Sequence, residues 1–277
     1  MNLEVLEDSD HKLTFVVEGI SIEMVNAIRR IILTEIPVMA IDEVIILKND
    51  SPLYDEIISH RLGMIPLKTD LKAYKLPRDC ECGGFGCPLC QVSLTCEVTN
   101  TTNMPLEIYS GDLKSNDPKI TPVDPNIPIV KIDKNDKVII EAYAILGKAK
   151  EHVKWQAVSN IFYRFYPIID FDDTNCTKCP DKCIVSRMCP EKLYDFSDKK
   201  TPKLVEDYWK LCTLCNSCNQ VCPEGSIKVS WKENTYIFSI ESDGVLPFNI
   251  LIEKVFEIFL DKIDEFTERL GDIEIES

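Results

Sequence analysis

The stretch LCTLCNSCNQVCPEG, at residues 211–225, contains four cysteines with the spacing C-x2-C-x2-C-x3-C-P. Bacterial ferredoxins use this spacing, in which three cysteines bind one iron–sulfur cluster and the fourth reaches the other cluster of a pair. The short spacers let backbone amides point at the sulfurs and offset their negative charge. The stretch therefore predicts an iron–sulfur cluster in a small cysteine-rich module. A zinc site is the alternative that this spacing leaves open.

An earlier group of cysteines supplies the ligands that a second cluster would need. Its spacing is C-x2-C-x3-C-x5-C-P, which is longer than the ferredoxin pattern before Cys183 and before Cys189. In a crossed arrangement, one cluster is bound by Cys176, Cys179, Cys183 and Cys222, and the other by Cys189, Cys212, Cys215 and Cys218. The irregular spacing leaves the first site open between a [4Fe-4S] cluster, a [3Fe-4S] cluster and no cluster.

A third group of cysteines lies in the segment CECGGFGCPLC, whose spacing is C-x-C-x4-C-x2-C. Its members are Cys80, Cys82, Cys87 and Cys90. Four thiolates in so short a loop can close around a tetrahedral Zn²⁺, and the glycines between them relax the turns. No histidine is adjacent and no open coordination position is implied, so the predicted zinc site is structural. A reduced, metal-free loop is the alternative.

Cysteine usage also bears on the cellular compartment. Of the 13 cysteines, only Cys96 lies outside the three groups, beside a strand-like run where a small buried residue is expected. The opening segment MNLEVLEDSD has no basic stretch followed by an apolar core, so no secretory signal is predicted. Grouped cysteines in a reducing compartment indicate metal ligands rather than disulfides, and a cytoplasmic location is expected.

Composition and motif content exclude several classes of function. Apolar residues make up 45% and charged residues 28% of the chain, which is typical of a globular protein. No apolar run is long enough to span a membrane. The net charge of −15 argues against direct nucleic-acid binding, which needs a surface rich in lysine and arginine. No phosphate-binding loop, nucleophile elbow or HExxH motif is present, so no catalytic residue is predicted.

Hydrophobic periodicity predicts helices near both ends of the chain and a strand-rich middle. Strands are predicted at 11–18, 41–47, 91–100 and 137–146, and a hairpin at 227–242 around a Lys-Glu-Asn turn. The segment SIEMVNAIRRIILTEIP predicts a helix that begins after Ser21 and stops at Pro37. The segment from Pro247 to Gly271 predicts a long helix with an unusually wide apolar face. Such a face is either buried on two sides within its own domain or packed against another chain.

Three stretches carry a resemblance to a known family. They are VNAIRRIILTEIP at 25–37, SPLYDEIISHRLGMIPL at 51–67 and GKAKEHVKWQAVS at 147–159. In these stretches, and over nearly its whole length, the chain resembles the D-type subunits of archaeal DNA-directed RNA polymerase. That family is related to the N-terminal domain of the bacterial alpha subunit and to the third-largest subunit of eukaryotic RNA polymerase II.

The resemblance implies an α/β fold in the broad sense (α+β) with a split dimerisation domain like that of the alpha subunit. The dimerisation domain comprises residues 1–48 and 226–277. A mostly β insert domain at 49–171 carries the first cysteine loop, and a ferredoxin-like module occupies 172–225. The first cysteine loop is similar to the zinc loop of the eukaryotic homologue, which favours zinc there.

The resemblance also implies partners. The chain is expected to heterodimerise with the small subunit L and to form, with small subunits N and P, a platform for the two large catalytic subunits. Nucleotide addition would then belong to other chains. The interface residues that the resemblance implies are Asn26, Arg29, Arg30, Leu251, Val255, Phe259, Ile263 and Phe266.

The resemblance implies the first of two functions, and the cysteine spacing alone suggests the second. The first is a non-catalytic subunit of DNA-directed RNA polymerase in transcription, whose clusters hold together a module too small to be stable on its own core. A redox-sensing role for the clusters stays open within it. The alternative is a ferredoxin-like electron-transfer subunit of an oxidoreductase, which would require reversible reduction coupled to turnover.

Overall fold

The computed structural model describes residues 2–172, 184–195, 203–222 and 224–271. The chain forms two compact units. The first comprises Met1–Val5, Phe15–Ile22 and Tyr163–Phe238, and the second comprises Leu6–Thr14, Glu23–Phe162 and Ser239–Ser277. In the part of the chain that is described, no helix is both long and apolar enough to cross a membrane.

Strands and helices occur throughout the described residues. The strands are β1 (Asn2–Asp8), β2 (Lys12–Glu18), β3 (Pro37–Asn49), β4 (Gln91–Thr99), β5 (Leu106–Tyr109), β6 (Lys114–Ser115), β7 (Pro128–Ile132), β8 (Lys137–Lys148), β9 (Asn160–Phe171), β10 (Tyr194–Asp195), β11 (Lys203–Leu204) and β12 (Ile227–Glu241). The helices are α1 (Ile22–Thr34), α2 (Asp55–Gly63), α3 (Val185–Met188), α4 (Tyr208–Leu211), α5 (Ser217–Val221) and α6 (Phe248–Gly271), and 3-10 turns lie at Pro77–Asp79, Ser110–Asp112 and Val153–Trp155. Helices combined with antiparallel sheets confirm the expected α+β class.

The second unit contains a four-stranded sheet with the order β3-β8-β4-β6. The central strand β8 pairs antiparallel with β3 from Lys148↔Pro37 to Val138↔Asn49, and with β4 on its other side. Along β8 every second side chain is buried, beginning with Val138 and Ile140. Apolar side chains at a period of two make one face of a strand apolar, which explains why this segment forms a half-buried central strand.

The core of this unit combines the buried face of the sheet with α2 and the β5–β7 pair. Ile58 and Leu62 of α2 are fully buried in the same cluster as Leu94 of β4. Their spacing of four residues places both on one face of the helix. Strand β4 begins at Gln91, directly after Cys90, so this core anchors one end of the first cysteine loop.

A further four-stranded sheet has the order β1-β2-β12-β9. The predicted hairpin at 227–242 is wrong, because β12 is one continuous strand of 15 residues. A backbone hydrogen bond from Ser159 N to Glu241 O (2.9 Å) lies at one end of the β9–β12 pair. The predicted Lys-Glu-Asn turn contains Asn234, which has a φ of 52°. A single left-handed residue within the strand thus takes the place of a chain reversal.

The predicted N-terminal helix is confirmed as α1, which ends at Thr34, three residues before Pro37. Proline has no backbone N–H to continue a helix, and it is tolerated as the first residue of a strand. Pro37 here begins β3. Val25, Ile31 and Ile32 are the buried residues of α1.

The predicted C-terminal helix is confirmed as α6, which begins directly after Pro247. The first half of the helix is buried through Leu251, Val255 and Ile258. Their spacings of four and three residues place them on one face. From Leu260 onward every described residue of the helix is exposed. The helix therefore extends well past the core that its first half covers.

Candidate metal centres and docking surface

The loop before β4 brings Cys80, Cys82, Cys87 and Cys90 together, with all four sulfur atoms within 4.8 Å of one another. The Sγ–Sγ distance is 3.5 Å for Cys80–Cys87 and for Cys82–Cys90, and 3.7 Å for Cys87–Cys90. Four sulfurs bound to one zinc at ~2.3 Å, at the corners of a tetrahedron, are about 3.8 Å apart. The four thiols therefore have the spacing of a site for a single tetrahedral ion.

Tight turns place backbone N–H groups next to these sulfurs. Cys90 N donates to Cys87 O at 3.0 Å, and Cys87 N donates to the Cys90 sulfur at 3.4 Å. The Gly84 backbone N–H donates to the Cys82 sulfur. Gly84 has a φ of +85°, which glycine adopts without strain. Donors aimed at sulfur stabilise the thiolate form that a metal ion requires.

The thiols of this loop differ in acidity. Burial disfavours the Cys82 thiolate, but hydrogen bonds from the Cys80 and Cys90 thiols outweigh burial and lower the pKa of Cys82 to about 6. Burial raises the pKa of Cys90 to about 12. Metal ligands must be deprotonated, so binding of an ion here would release at least the Cys90 proton at neutral pH.

A separate cavity in the cysteine-rich module is lined by Cys189, Cys212, Cys215 and Cys218. Apolar side chains such as Ile169, Leu193 and Val229 form much of the remaining wall. The four cysteines are the set that the crossed arrangement assigns to one cluster.

The other predicted cluster ligands are placed less completely. Cys222 directly follows α5 and is half-buried. Among the residues that the structure describes, it is not part of the cavity wall. Cys176, Cys179 and Cys183 lie outside the described residues. One predicted set of four cysteines therefore has a described geometry, and the other does not.

The backbone before α5 explains how three of the sulfurs converge. Leu214 and Asn216 have φ values of 55° and 61°, and such left-handed residues reverse the chain direction within a short loop. Hydrogen bonds from the Ser217 side chain and backbone lower the pKa of the Cys215 thiol. The loop thus buries Cys212 and Cys218, leaves Cys215 exposed, and supplies hydrogen-bond donors to the Cys215 sulfur.

Contacts outside this loop hold its neighbours. Cys189 N donates to Val185 O at 3.0 Å, at the end of α3. Arg164 of β9 donates from Nη1 to Cys212 O at 3.1 Å and from Nη2 to Lys210 O. The guanidinium thereby satisfies carbonyl groups at the C-terminal end of α4, which have no partner within the helix.

Sequence reasoning missed two residues that support this module, one in β9 and one in the module itself. They are Arg164 and Tyr194, and neither falls within a cysteine motif. The Tyr194 side chain lines the cavity. The positions of both residues depend on which strands pair and on how the cysteine loop folds back. No spacing in the sequence carries that information.

The exposed surface of α6 carries an apolar row, consisting of Phe256, Leu260, Ile263, Phe266 and Leu270. Residues three or four positions apart lie on the same side of a helix, so the row forms one continuous face. Beside it, α1 and α6 line a shallow groove that includes Ala27, Ile31 and Phe259. Large exposed apolar patches of this kind mark interaction sites.

Of the three predicted interface residues of α1, one lines this groove. Arg30 is exposed and lines it. Arg29 is half-buried, and its Nε and Nη2 donate to Asn26 Oδ1 at 3.2 and 3.0 Å. This pair fixes the orientation of the Arg29 guanidinium on the helix surface.

The predicted interface residues of α6 divide between core and surface. Phe259, Ile263 and Phe266 line the groove. Leu251 and Val255 are 0% exposed. As placed, these two side chains support α6 from the core of the chain and offer no surface to a partner.

Known proteins match the chain over most of its length. Residues 40–165 match the family model described as the RNA polymerase Rpb3/RpoA insert domain. The chain is 40% identical over 258 residues to DNA-directed RNA polymerase subunit Rpo3 of Methanosphaera stadtmanae, covering 91% of this chain and 92% of that protein. It is 38% identical over 266 residues to subunit Rpo3 of Methanosarcina acetivorans, covering 96% of each chain. For subunit Rpo3 of Archaeoglobus fulgidus, the identity is 36% over 273 residues and 98% of each chain is covered.

These matches extend far beyond the insert domain. They cover nearly the full length of both proteins in each comparison. The matched part therefore includes the segments that form α1 and α6 as well as the cysteine-rich module. The resemblance predicted from three short stretches is thereby confirmed. The chain belongs to the family of Rpo3 subunits of DNA-directed RNA polymerase.

Proposed function

We propose that the chain is a non-catalytic assembly subunit that heterodimerises with a small L-type polymerase subunit through α1 and α6. The observation that carries the proposal is the apolar row, whose side chains are 45–63% exposed. With small subunits N and P, the pair would form a cytoplasmic platform on which the two large catalytic subunits assemble. The names of the relatives support membership of a polymerase, and the apolar row supports an obligate neighbour.

The physical argument for an obligate partner is the cost of leaving this row in water. Burying apolar surface is favourable by roughly 25 cal/mol per Å². Obligate interfaces bury roughly 2,000 Å² or more and are largely apolar. Charged residues at the end of the groove, such as Glu35 and Lys262, would lie at the polar edge that surrounds such an interface.

The first cysteine loop is proposed to bind Zn²⁺ as a structural ion. Its sulfur spacing suits one tetrahedral ion. In a [4Fe-4S] cluster each thiolate binds a different iron, so four sulfurs in near contact do not suit a cluster. With four protein ligands no coordination position is left for substrate, which is typical of structural zinc.

The cavity lined by Cys189, Cys212, Cys215 and Cys218 is proposed to hold a [4Fe-4S] cluster. Four cysteines, apolar walls and hydrogen bonds to sulfur are the environment that such clusters use. The bound cluster would supply iron–thiolate bonds that link α3 to the loop before α5. A second cluster, at Cys176, Cys179, Cys183 and Cys222, is proposed from the sequence spacing alone, and a [3Fe-4S] cluster stays open there.

The proposed role of the clusters is to keep the module at 172–225 folded. So small a module buries little apolar surface, and metal binding to it contributes directly to folding. If oxygen removed a cluster, the module would loosen, and redox state would affect assembly only if the heterodimer depended on this module. The dimerisation domain is proposed at 1–48 and 226–277, with the insert domain at 49–171.

Co-expression with an L-type subunit tests the assembly role. The wild-type chain is expected to co-purify with it in a 1:1 complex. Phe266→Asp, which places a charge in the apolar row, is expected to weaken the complex by ~2 kcal/mol or more, roughly thirtyfold in Kd. Met104→Asp is the matched control, since Met104 is 74% exposed on a loop far along the chain from α6. Equal binding of both variants would contradict the proposal.

The electron-carrier alternative makes a different demand. It requires that cluster reduction be coupled to turnover of a partner enzyme, and it does not require the apolar row. The relatives named above are polymerase subunits, which favours the assembly role. A chain that fails to bind the L-type subunit while carrying intact clusters would favour the carrier.

A further inference from the structure

Tyr194 is a buried residue of the cysteine-rich module with an unusual hydroxyl group. The residue is 6% exposed and forms the first position of β10, paired with Leu204 of β11. Its hydroxyl oxygen is fully buried, and no group of the described residues makes a hydrogen bond to it. A buried hydroxyl without a partner is destabilising, so native proteins rarely retain one without a reason.

The side chain belongs to the wall of the cavity that Cys189, Cys212, Cys215 and Cys218 line. Among the cysteines of this wall, the Cys218 side chain interacts most strongly with the Tyr194 hydroxyl. A tyrosine hydroxyl carries its proton near neutral pH and is available as a donor. A thiol is a weak acceptor, whereas a metal-bound thiolate is a charged and much stronger one.

We infer that the Tyr194 hydroxyl donates an O–H···S hydrogen bond to the cluster-bound sulfur of Cys218. The inference rests on the proposed cluster in this cavity. It explains why a tyrosine, rather than a phenylalanine, stands at a buried position among apolar neighbours. Asn216 Oδ1 also lines this cavity and has no hydrogen-bond partner among the described residues, but an amide oxygen is an acceptor and cannot donate to a thiolate. Tyr194 is thus a positioning residue that acts on the cluster through its ligand.

Two consequences follow from a hydrogen bond to cluster sulfur. It offsets negative charge, so it stabilises the reduced, more negative form of the cluster and raises the reduction potential. It also stabilises the bound thiolate, so it slows loss of the cluster in air. Neither effect depends on polymerase activity.

The test compares wild type, Tyr194→Phe and Tyr208→Phe in the full-length chain, purified anaerobically with its L-type partner. Tyr208 is the matched control, because it is half-buried against the same apolar cluster and does not line the cavity. Iron and sulfide analysis establishes cluster content first. The reduction potential is then measured by mediated titration in which dithionite supplies the electron, and cluster loss in air is followed by visible absorption.

Tyr194→Phe is expected to keep its cluster, to shift the potential to a more negative value and to lose the cluster about fivefold faster in air. Tyr208→Phe is expected to match wild type in both. Equal potentials for wild type and Tyr194→Phe, or equal shifts in both variants, would overturn the hydrogen bond while leaving the cluster proposal intact. Wild-type protein without iron and sulfide would overturn the cluster proposal, and the hydrogen bond with it.

Discussion

Cys82 belongs to the first cysteine loop, and its sulfur lies close to the sulfurs of the other three cysteines there. In Cys82→Ser the serine hydroxyl does not replace a thiolate as a zinc ligand. We expect this variant to bind about 0.1 zinc or less per chain, where wild type binds about one. Zinc analysis after dialysis against a weak chelator measures the difference.

The control for this prediction is Cys96→Ala. Cys96 is buried in β4, outside the four-sulfur group, and burial raises the pKa of its thiol to about 11. The variant removes one thiol and should keep its zinc. Full zinc content in Cys82→Ser would mean that the ion, if present, is held elsewhere.

Glu35 is a half-buried carboxylate between two lysines. Lys262 Nζ lies 3.2 Å and Lys148 Nζ 3.5 Å from its oxygens. Burial alone would raise the pKa of Glu35, but the hydrogen bond and charge of Lys262, followed by the charge of Lys148, lower it below its usual value. A lowered pKa in the folded state means that the carboxylate stabilises the fold above its ordinary pKa. That stabilisation is lost as the pH falls through the lowered value.

Glu35→Gln should therefore cost about 1 kcal/mol of unfolding free energy at pH 7, the upper range for a partly exposed ion pair. The cost should disappear in acid, once wild-type Glu35 is protonated as well. Urea unfolding of both proteins across this pH range measures it. Glu257→Gln is the control, because its pair with Lys254 is more exposed and should cost little at any pH. A cost for Glu35→Gln that persists in acid would show that packing, rather than charge, is responsible.

At single positions, the sequence predicted which cysteines lie together better than which residues support them. Cysteine spacing alone named the four thiols that the structure places within 4.8 Å of one another. It also named the set that lines the second cavity. Arg164 and Tyr194 were not predicted, because an arginine or a tyrosine becomes significant only through what folds against it.

At the level of elements, the sequence predicted type more reliably than connection. Alternation correctly predicted strands on both sides of residue 234, but it could not show that they form one strand. A turn-like Lys-Glu-Asn segment and a continuous strand with one left-handed Asn234 have the same local pattern. Pairing of β9 along β12 favours the continuous strand over the turn. That pairing joins residues far apart in the sequence, so no local pattern reveals it.

Helix α6 illustrates a second limit. Its wide apolar face predicted a helix that is covered on two sides. The period of the apolar residues could not show which of them pack in the chain's own core and which are left for another chain. The structure assigns Leu251 and Val255 to the core and leaves Phe266 63% exposed. Which half of such a face is covered depends on how far the remaining core extends along the helix.

Strand β9 is predicted to hold the cysteine loop through Arg164. Replacing it with Met keeps an aliphatic stem but leaves Cys212 O and Lys210 O without these donors. The expected cost is ~1–2 kcal/mol, which corresponds to roughly five- to thirtyfold more frequent opening of the module. We expect faster loss of iron and sulfide in air, measured on anaerobically purified protein.

Arg187→Met is the matched control, because Arg187 is an exposed arginine of α3 in the same module. It removes the same charge without removing a contact to the cysteine loop. Equal rates of iron loss in the two variants would assign the effect to charge in general and not to the Arg164 hydrogen bonds.

For the whole molecule, the important relation is between the cysteine-rich module and the strands that flank it. Strand β9 ends at Phe171 and β12 begins at Ile227, and Asp172 N donates to Ser226 O at 2.8 Å. The two ends of the module are thus one hydrogen bond apart. Insertions whose ends meet in this way can often be removed without unfolding the host.

We therefore predict that replacing residues 173–225 with Asn-Gly, which favours a two-residue hairpin turn, leaves the heterodimer intact. Ile169→Thr and Ile227→Thr are added because the module covers these side chains, and exposed apolar patches cause aggregation. The groove on α1 and α6 and the first cysteine loop belong to the second compact unit. The shortened chain should thus lose its iron, keep about one zinc and bind the L-type subunit within about threefold of the wild-type Kd, a difference of ~0.7 kcal/mol. Loss of the heterodimer with zinc retained would show instead that the module supports the interface, and would make cluster occupancy a means of controlling assembly.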